Sequence, residues 1–267
     1  MKAITDKEFR QFQQFIFDAA GITLPDSKKI LVSGRLSKRL HACELESFSD
    51  YLQLLGSGMR PDEVQRAVDL LTTNETYFFR EIKHFEFLRA QALAARGRAE
   101  SFRVWSAASS SGEEAFSIAM VLADCLGDAA WEVLGTDISS RVLAGAERAL
   151  YTMERGRHIP EVYLKRFCMK GAAEFEGSLL IQRALRNRVS FRQVNLNVAL
   201  PELGQFDIIF LRNVMIYFSD DTKRQVIARL LPPLKKSGYL LVGHSESLNE
   251  ISSAVRPVAP SIYRRAT

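Results

Sequence analysis

The segment Ser106–Ser117 reads SAASSSGEEAFS and governs how the rest of the chain is interpreted. It follows an apolar run around Trp105 that is typical of a buried strand, and it precedes IAMVLA (118–123), typical of a buried helix. Small residues at such a junction let a ligand approach the backbone, and the helix start offers unpaired N–H groups. Glu113 and Glu114 suit the helix dipole there, but they would repel a phosphate. The loop therefore favours a cationic, sugar-bearing ligand such as S-adenosylmethionine.

Composition sets the broad class of the protein. At 267 residues the chain is long enough for one large domain and a smaller one. It has no apolar stretch of transmembrane length and its N-terminus lacks the apolar core of a signal peptide, so we expect a cytoplasmic protein. The three cysteines and four histidines are scattered without a CxxC or HxxxH pair. We therefore expect neither a disulfide framework nor a metal site.

Residues 1–73 are predicted to form a small all-helical domain. Apolar residues recur at three- and four-residue spacing in a first helix that ends at Gly21. Further helices are predicted over Lys28–Cys43, over Phe48–Leu55 and from Pro61, since proline is favoured at the first helical position.

From residue 74 to residue 267 the pattern becomes an alternation of strands and helices. The predicted strands are Phe102–Ala107, Trp131–Thr136, Val189–Val194, Phe206–Leu211 and Tyr239–Val242. The predicted helices are Gly112–Leu126, Ser140–Leu150 and Asp221–Leu231. This order predicts an α/β fold, a doubly wound sheet with helices on both faces. The alternation breaks between Lys165 and Arg188, and we expect an inserted β-subdomain at about 165–190.

Polar residues follow several of these strands. Asp137 ends the second strand, where doubly wound sheets place an acid on a ribose diol, although it could instead cap the next helix. Arg212, Asn213 and Tyr217 follow the most apolar strand, so they should face a ligand beyond the carboxyl ends of the sheet. Tyr217 could instead be a core aromatic residue. Asn195 lies at the same edge and could either bond an adenine or make a plain turn.

A polar segment, TTNETYFFRE (72–81), joins the two predicted domains. Its polar residues are dense for a simple connector. The alternatives are that Asn74 caps a helix and that Arg80 makes an ordinary surface salt bridge.

One arc of the second predicted helix is basic. This basic arc consists of Lys28, Arg35, Lys38 and Arg39. It could be a solvated surface, a nucleic-acid surface or a docking surface for an acidic helix. No aromatic platform is interleaved with these charges, which disfavours nucleic acid.

Five segments, taken in order, resemble the CheR-type chemotaxis receptor methyltransferases over nearly the whole chain. These segments are TTNETYFFRE, RVWSAASSSGEEAFSIAM, the strand ending at Asp137, FDIIFLRNVMIYF and LLVGHSESL. The family's loop usually reads STGEEPYS, so Ser111, Ala115 and Phe116 are mild departures. The resemblance implies a Rossmann-like methyltransferase domain that binds S-adenosylmethionine and releases S-adenosylhomocysteine.

The resemblance also implies roles for individual residues. The implied cofactor contacts are Asn74, Thr76, Arg80, Glu114, Asp137, Asn195, Leu196, Arg212 and Asn213. Arg80 and Tyr217 would lie nearest the transferred methyl group as the catalytic residues. Arg80 would orient a carboxylate, either that of the substrate or the cofactor's own. Glu114 is expected to contact the cofactor, and Glu113 to act mainly at the helix start.

The implied activity is methyl transfer to glutamate side chains of bacterial chemoreceptors. The partners would be the receptors' methylation helices, docked on the basic arc, and in some members a receptor tail peptide paired with the β-subdomain. That subdomain could instead be a structural flap. We expect a monomer that needs neither metal nor nucleic acid. The alternatives are a methyltransferase for another protein or RNA, and a cofactor sensor without turnover.

Overall fold

The computed structural model describes residues 3–266, and its first part is a bundle of four helices. They are α1 (Asp6–Ala20), α2 (Lys29–Ala42), α3 (Phe48–Gly56) and α4 (Pro61–Leu71). Helix α1 begins where Thr5 and Glu8 cap each other's backbone N–H groups, and it ends at Gly21, which has a φ of 71°. The apolar faces of the bundle meet in a common core. The predicted helical N-terminal part is confirmed.

Six more helices and ten strands make up the rest of the described chain. The helices are α5 (Ile82–Ala94), α6 (Glu113–Leu126), α7 (Ser140–Arg148), α8 (Glu161–Phe167), α9 (Arg183–Arg186) and α10 (Asp220–Leu230). The strands are β1 (Phe102–Ala107), β2 (Trp131–Asp137), β3 (Leu150–Thr152), β4 (Cys168–Lys170), β5 (Ser178–Ile181), β6 (Val189–Gln193), β7 (Phe206–Leu211), β8 (Leu234–Val242), β9 (Val255–Ala259) and β10 (Ile262–Arg265).

A seven-stranded sheet carries the second part of the molecule. Its order is β6-β2-β1-β7-β8-β10-β9, with the first five strands parallel and the last two antiparallel to their neighbours. On β7, Ile208 and Phe210 join the core that contains α5 and α6, while Ile209 and Leu211 join the core that contains α10. Helices therefore cover both faces, and the predicted doubly wound α/β fold is confirmed.

The strand order reverses between β1 and β7. From β1 the chain builds outward through β2 to β6, and then returns to place β7 on the other side of β1. Loops after such neighbouring strands diverge and leave a crevice at their carboxyl ends. The segments after β1 and β7 are the glycine-containing loop and the Arg212–Tyr217 segment.

A second sheet of three antiparallel strands has the order β3-β5-β4. Two of its strands fall within the expected β-subdomain at 165–190, but β3 precedes that range and replaces the end of the predicted helix Ser140–Leu150. Helix α7 ends at Arg148 because Ala149 takes a left-handed conformation, with a φ of 52°.

The sequence interpretation missed α5 and the β9–β10 hairpin. Ile82 and Leu93 are apolar yet exposed, so the periodicity of α5 is blurred. Strand β9 alternates poorly and contains Pro257, which is tolerated because β9 is an edge strand. Within residues 3–266, no helix has both the length and the apolar character needed to cross a membrane.

Candidate functional site

An open cleft lies at the carboxyl ends of the parallel strands. Ala20 and Ile22 contribute to it from the helical bundle, so the cleft is shared by both parts of the molecule. All nine residues expected to contact the cofactor line it, together with Tyr217. They are Asn74, Thr76, Arg80, Glu114, Asp137, Asn195, Leu196, Arg212, Asn213 and Tyr217. The structure thus brings the predicted set together, while the role of each residue stays a prediction.

The loop between β1 and α6 needs a glycine at its last position. Gly112 has a φ of 93°, and a Cβ there would lie 2.8 Å from the Ala146 Cβ and 3.0 Å from the Tyr151 hydroxyl. Only glycine fits both the conformation and the space. Ala108 and Ser110 also have positive φ and line the cleft.

Asp137 is buried at the end of β2, with 6% of its surface exposed. Its Oδ2 accepts a hydrogen bond from the Ser110 N–H at 2.9 Å, and its Oδ1 accepts one from the Ser139 N–H at 2.9 Å. Burial raises the pKa of its carboxyl group. Ser139 is itself the N-cap of α7, so Asp137 does not cap that helix. Its oxygens keep lone pairs that can accept the hydroxyls of a ligand.

The adjacent residues Glu113 and Glu114 point in different directions. Glu114 lines the cleft, where its carboxylate accepts hydrogen bonds from the Ser106 hydroxyl at 2.7 Å and from Arg212 at 2.8 Å. Glu113 is fully buried away from the cleft and pairs with Arg155. Burial raises the pKa of both glutamates, and each arginine partner opposes this. The sequence interpretation did not anticipate that Arg155 ties the region of the small sheet to the loop.

Arg212 is the centre of a buried ionic group, here called the Arg212 cluster (Arg212, Glu81 and Glu114). Its guanidinium lies 3.0 Å from Glu81 Oε2 and 2.8 Å from Glu114 Oε2, and it also donates to the Arg80 carbonyl. Burial raises the pKa of Glu81, but the Arg212 charge and hydrogen bonds outweigh this and lower it to about 2. Two carboxylates and one guanidinium leave the cluster with a negative charge when all are ionised, which suits a cationic ligand.

Glu81 was not among the predicted site residues, although it ends the quoted segment TTNETYFFRE. It lies near two histidines, and ligand atoms of Glu81, His84 and His244 fall within 4.8 Å of one another. Arg212 places a positive charge 3.0 Å from the Glu81 oxygen that faces this group. That charge disfavours a metal cation. The other Glu81 oxygen, Oε1, accepts the backbone N–H of His244 at 3.2 Å.

Arg80 and Tyr217 present their side chains to the cleft from opposite segments. The Arg80 guanidinium donates to the Glu75 carbonyl at 3.1 Å and lies 5.6 Å from the centre of the Tyr77 ring. Among the described residues it has no carboxylate partner, so it is not part of a surface salt bridge. Tyr217 is half-buried, whereas its neighbour Phe218 belongs to the core, as expected.

The remaining predicted contacts line the cleft with some of their polar atoms already engaged. Asn195 donates from Nδ2 to the Ala19 carbonyl at 2.7 Å and accepts from the Asn197 N–H at 2.9 Å, so it also makes the turn proposed as its alternative. Asn74 caps no helix, because α5 begins only at Ile82. Its carbonyl accepts from the Ser110 hydroxyl at 2.9 Å. Apolar side chains lie beside these groups.

The cleft therefore offers an acidic end, a buried acceptor of hydroxyl groups and an apolar wall. The apolar wall consists of Ile138, Val194 and Leu196. A ligand that joins a positive charge, a sugar and a flat ring matches these three parts.

The basic arc does not have four free charges. Arg39 makes two 2.7 Å contacts to the fully buried Glu63. Arg35 donates to the Leu70 and Thr72 carbonyls, each at 2.9 Å. Lys28 and Lys38 are exposed. Two of the four side chains therefore also hold the bundle together, and docking on the basic arc stays a prediction.

Comparison with known proteins gives two adjoining family matches. Residues 7–72 match the CheR methyltransferase all-alpha domain, and residues 74–263 match the CheR methyltransferase SAM binding domain. The chain is 42% identical over 266 residues to a chemotaxis protein methyltransferase of Escherichia coli, covering 98% of this chain and 91% of that protein. It is 38% identical over 265 residues to chemotaxis protein methyltransferase 2 of Pseudomonas aeruginosa, covering 98% of this chain and 94% of that protein.

Proposed function

Because the chain belongs to the CheR methyltransferase family, we propose that it methylates glutamate side chains of bacterial chemoreceptors. The protein is a methyltransferase whose cofactor is S-adenosylmethionine. The products in this proposal are a glutamate methyl ester and S-adenosylhomocysteine. Residues 74–267 would carry out the transfer, residues 1–73 would dock the receptor, and the protein would work as a monomer in the cytoplasm.

The observation that carries this proposal is the contrast between the two ends of the cleft. Inside, the Arg212 cluster and Asp137 are acidic and suit the cationic cofactor. At Arg80 the cleft offers a guanidinium that has no carboxylate partner among residues 3–266 and can therefore receive an incoming one.

Each residue then has a role that follows from its chemistry. The cofactor supplies a methyl group on a positively charged sulfur. Asp137 would accept hydrogen bonds from the ribose hydroxyls, and Glu114 would accept one from the ammonium group. Arg80 would orient the substrate carboxylate, and Tyr217 would close the wall beside it. Excluding water and fixing this geometry are the contributions that the protein makes.

The reaction needs no general base. A glutamate has a pKa of about 4.3 and is already ionised at neutral pH. A carboxylate oxygen forms a bond to the methyl carbon as the carbon–sulfur bond breaks, and no proton has to be removed. This accounts for a cleft whose reacting end holds an arginine and a tyrosine.

Docking would use two surfaces. The exposed Lys28 and Lys38 of the basic arc would face an acidic methylation helix of the receptor. Strand β4 is an edge of the small sheet, and an extended receptor tail could add to it by main-chain hydrogen bonds.

The test is transfer of radiolabelled methyl groups to a receptor fragment and to the same fragment with its candidate glutamates changed to alanine. We expect base-labile label on the first fragment only. Label that appears instead on a different protein or on RNA would show that the substrate is of that class and is not a receptor glutamate. Binding of S-adenosylhomocysteine in calorimetry without any transfer would indicate a sensor.

A further inference from the structure

The segment LLVGHSESL has no part in the proposed reaction, yet its glutamate holds the backbone of a loop that lines the cleft. Glu246 lies shortly after β8, with 9% of its surface exposed. Its side chain crosses to the residues that follow β7, here called the 212–217 loop. That loop carries Arg212, Asn213 and Tyr217.

Three backbone N–H groups converge on the Glu246 carboxylate. Oε2 accepts from Gly243 at 2.7 Å and from Asn213 at 2.8 Å, and Oε1 accepts from Ile216 at 3.2 Å. A carboxylate can only accept, so it pairs with three backbone donors at once, in a contact that is buried at Gly243 and partly buried at Asn213 and Ile216.

The conformation of the 212–217 loop needs such an anchor. Asn213 has a φ of 56°, a left-handed conformation that asparagine adopts more readily than most residues, and hydrogen bonds on both sides keep it there. Its side-chain amide is fixed from the other side by Glu81, at 3.1 Å. A Cβ at Gly243 would lie 2.5 Å from that amide nitrogen, so the closeness of the two segments also depends on the glycine.

We propose that Glu246 is a positioning residue that sets the 212–217 loop and thereby places Asn213 and Tyr217 against the cofactor and substrate. The role of Tyr217 in this inference rests on the proposed function. The anchoring of the 212–217 loop by Glu246 does not depend on it. Glu246 does not line the cleft and touches neither reactant.

Glu246→Gln tests the inference, because it keeps the shape and turns one acceptor into a donor that faces N–H groups. Glu8→Gln is the matched control. Glu8 is also 9% exposed and accepts backbone N–H bonds from Thr5 and Ser49, but it lies in the helical bundle and does not line the cleft. Both variants should lose similar stability. Only Glu246→Gln should speed hydrogen exchange of the 212–217 peptide and lower kcat, by about 100-fold.

A second variant covers the case in which Glu246→Gln does not fold. Gly243→Ala keeps the carboxylate itself, but the added Cβ would lie 2.8 Å from Glu246 Oε2 and 2.5 Å from Asn213 Nδ2 and so force the two apart. It should therefore produce the same local exchange and the same fall in kcat. Gly56→Ala is its control, since an added Cβ there meets nothing within 4 Å.

The two readouts separate this inference from the proposed function. Faster exchange without loss of turnover, or loss of turnover without faster exchange, would overturn it, as would a Glu246→Gln enzyme that matches Glu8→Gln. If the wild-type protein does not methylate receptor glutamates, the proposed function fails. In that case the affinity for S-adenosylhomocysteine takes the place of kcat, because Asn213 lines the cofactor cleft.

Discussion

The Arg212 cluster and the basic arc are both groups of charged side chains, and the structure uses them in opposite ways. In the Arg212 cluster every charge is paired and largely shielded from water, and Arg212 and Glu114 line the cleft. In the basic arc two arginines are hydrogen-bonded within the bundle, whereas two lysines are exposed to water. Charge near a site therefore says little until the partners of each group are known.

The largest effect is expected at Arg80, a cleft arginine outside both groups that has no carboxylate partner among residues 3–266. Arg80→Ala should lower kcat about 1,000-fold, because orientation and charge stabilisation of the substrate carboxylate are lost together. Steady-state methyl transfer measures this, with the melting temperature as the check on folding. Near-normal turnover would remove Arg80 from the mechanism and make it resemble the solvated lysines of the arc.

Arg39 tests whether the arc is partly structural. Arg39→Met should lower the free energy of unfolding by about 3 kcal/mol, because Glu63 would stay buried without its main ion-pair partner. Lys38→Met, on the exposed side of the same helix, should change it by less than about 0.5 kcal/mol. Urea unfolding of the two variants measures the difference. Equal losses of unfolding free energy in the two variants would contradict the division of the basic arc into arginines bonded within the bundle and exposed lysines.

Asp137 tests the acidic end of the cleft. Asp137→Asn should weaken binding of S-adenosylhomocysteine about 30-fold, because hydrogen bonds from a ligand to a charged group contribute about 2 kcal/mol. Calorimetry with the parent compound and with its 2′,3′-dideoxy analogue distinguishes a ribose contact from a general disturbance of the loop. Wild type should discriminate between the two ligands, and the variant should not. Unchanged discrimination would assign Asp137 to loop structure alone.

The smallest effect belongs to the exposed lysines. The double variant Lys28→Glu/Lys38→Glu should lower kcat/KM for a receptor fragment about 10-fold at low salt, since charge complementarity acts mainly on association. The affinity for S-adenosylhomocysteine should not change. Lys7→Glu/Lys236→Glu makes the same change of charge elsewhere on the surface. If kcat/KM for the receptor fragment falls equally in this control, docking on the basic arc is refuted.

The sequence predicted the fold and the gathering of the cleft residues for a clear physical reason. Apolar strands can be recognised from their composition, and the carboxyl ends of parallel strands meet at one edge, so Asp137, Arg212 and Asn213 had to come together. The family resemblance was confirmed by matches across nearly the whole chain.

Side-chain contacts between residues far apart in the chain could not be predicted from the sequence. Glu81 contacts Arg212, which lies 131 residues further along the chain, and Glu113 pairs with Arg155, on a segment to which the sequence pattern assigned no element. Arg35 and Arg39 have the same local pattern as Lys38, and only the packing of α4 against α2 separates them. The spacing of residues along a helix shows which face a residue occupies, but it does not show which residue of another element the side chain contacts.

The two hydrogen bonds of Arg35 also have a mechanical consequence. They join the middle of α2 to the carbonyls of Leu70 and Thr72, and the chain runs from there through Asn74 to Arg80. The proposed docking surface is thus tied to the start of the segment that leads to the reacting end of the cleft. A receptor helix docked on α2 would then lie at a fixed distance from Arg80. That distance would determine which of its glutamates can enter the cleft.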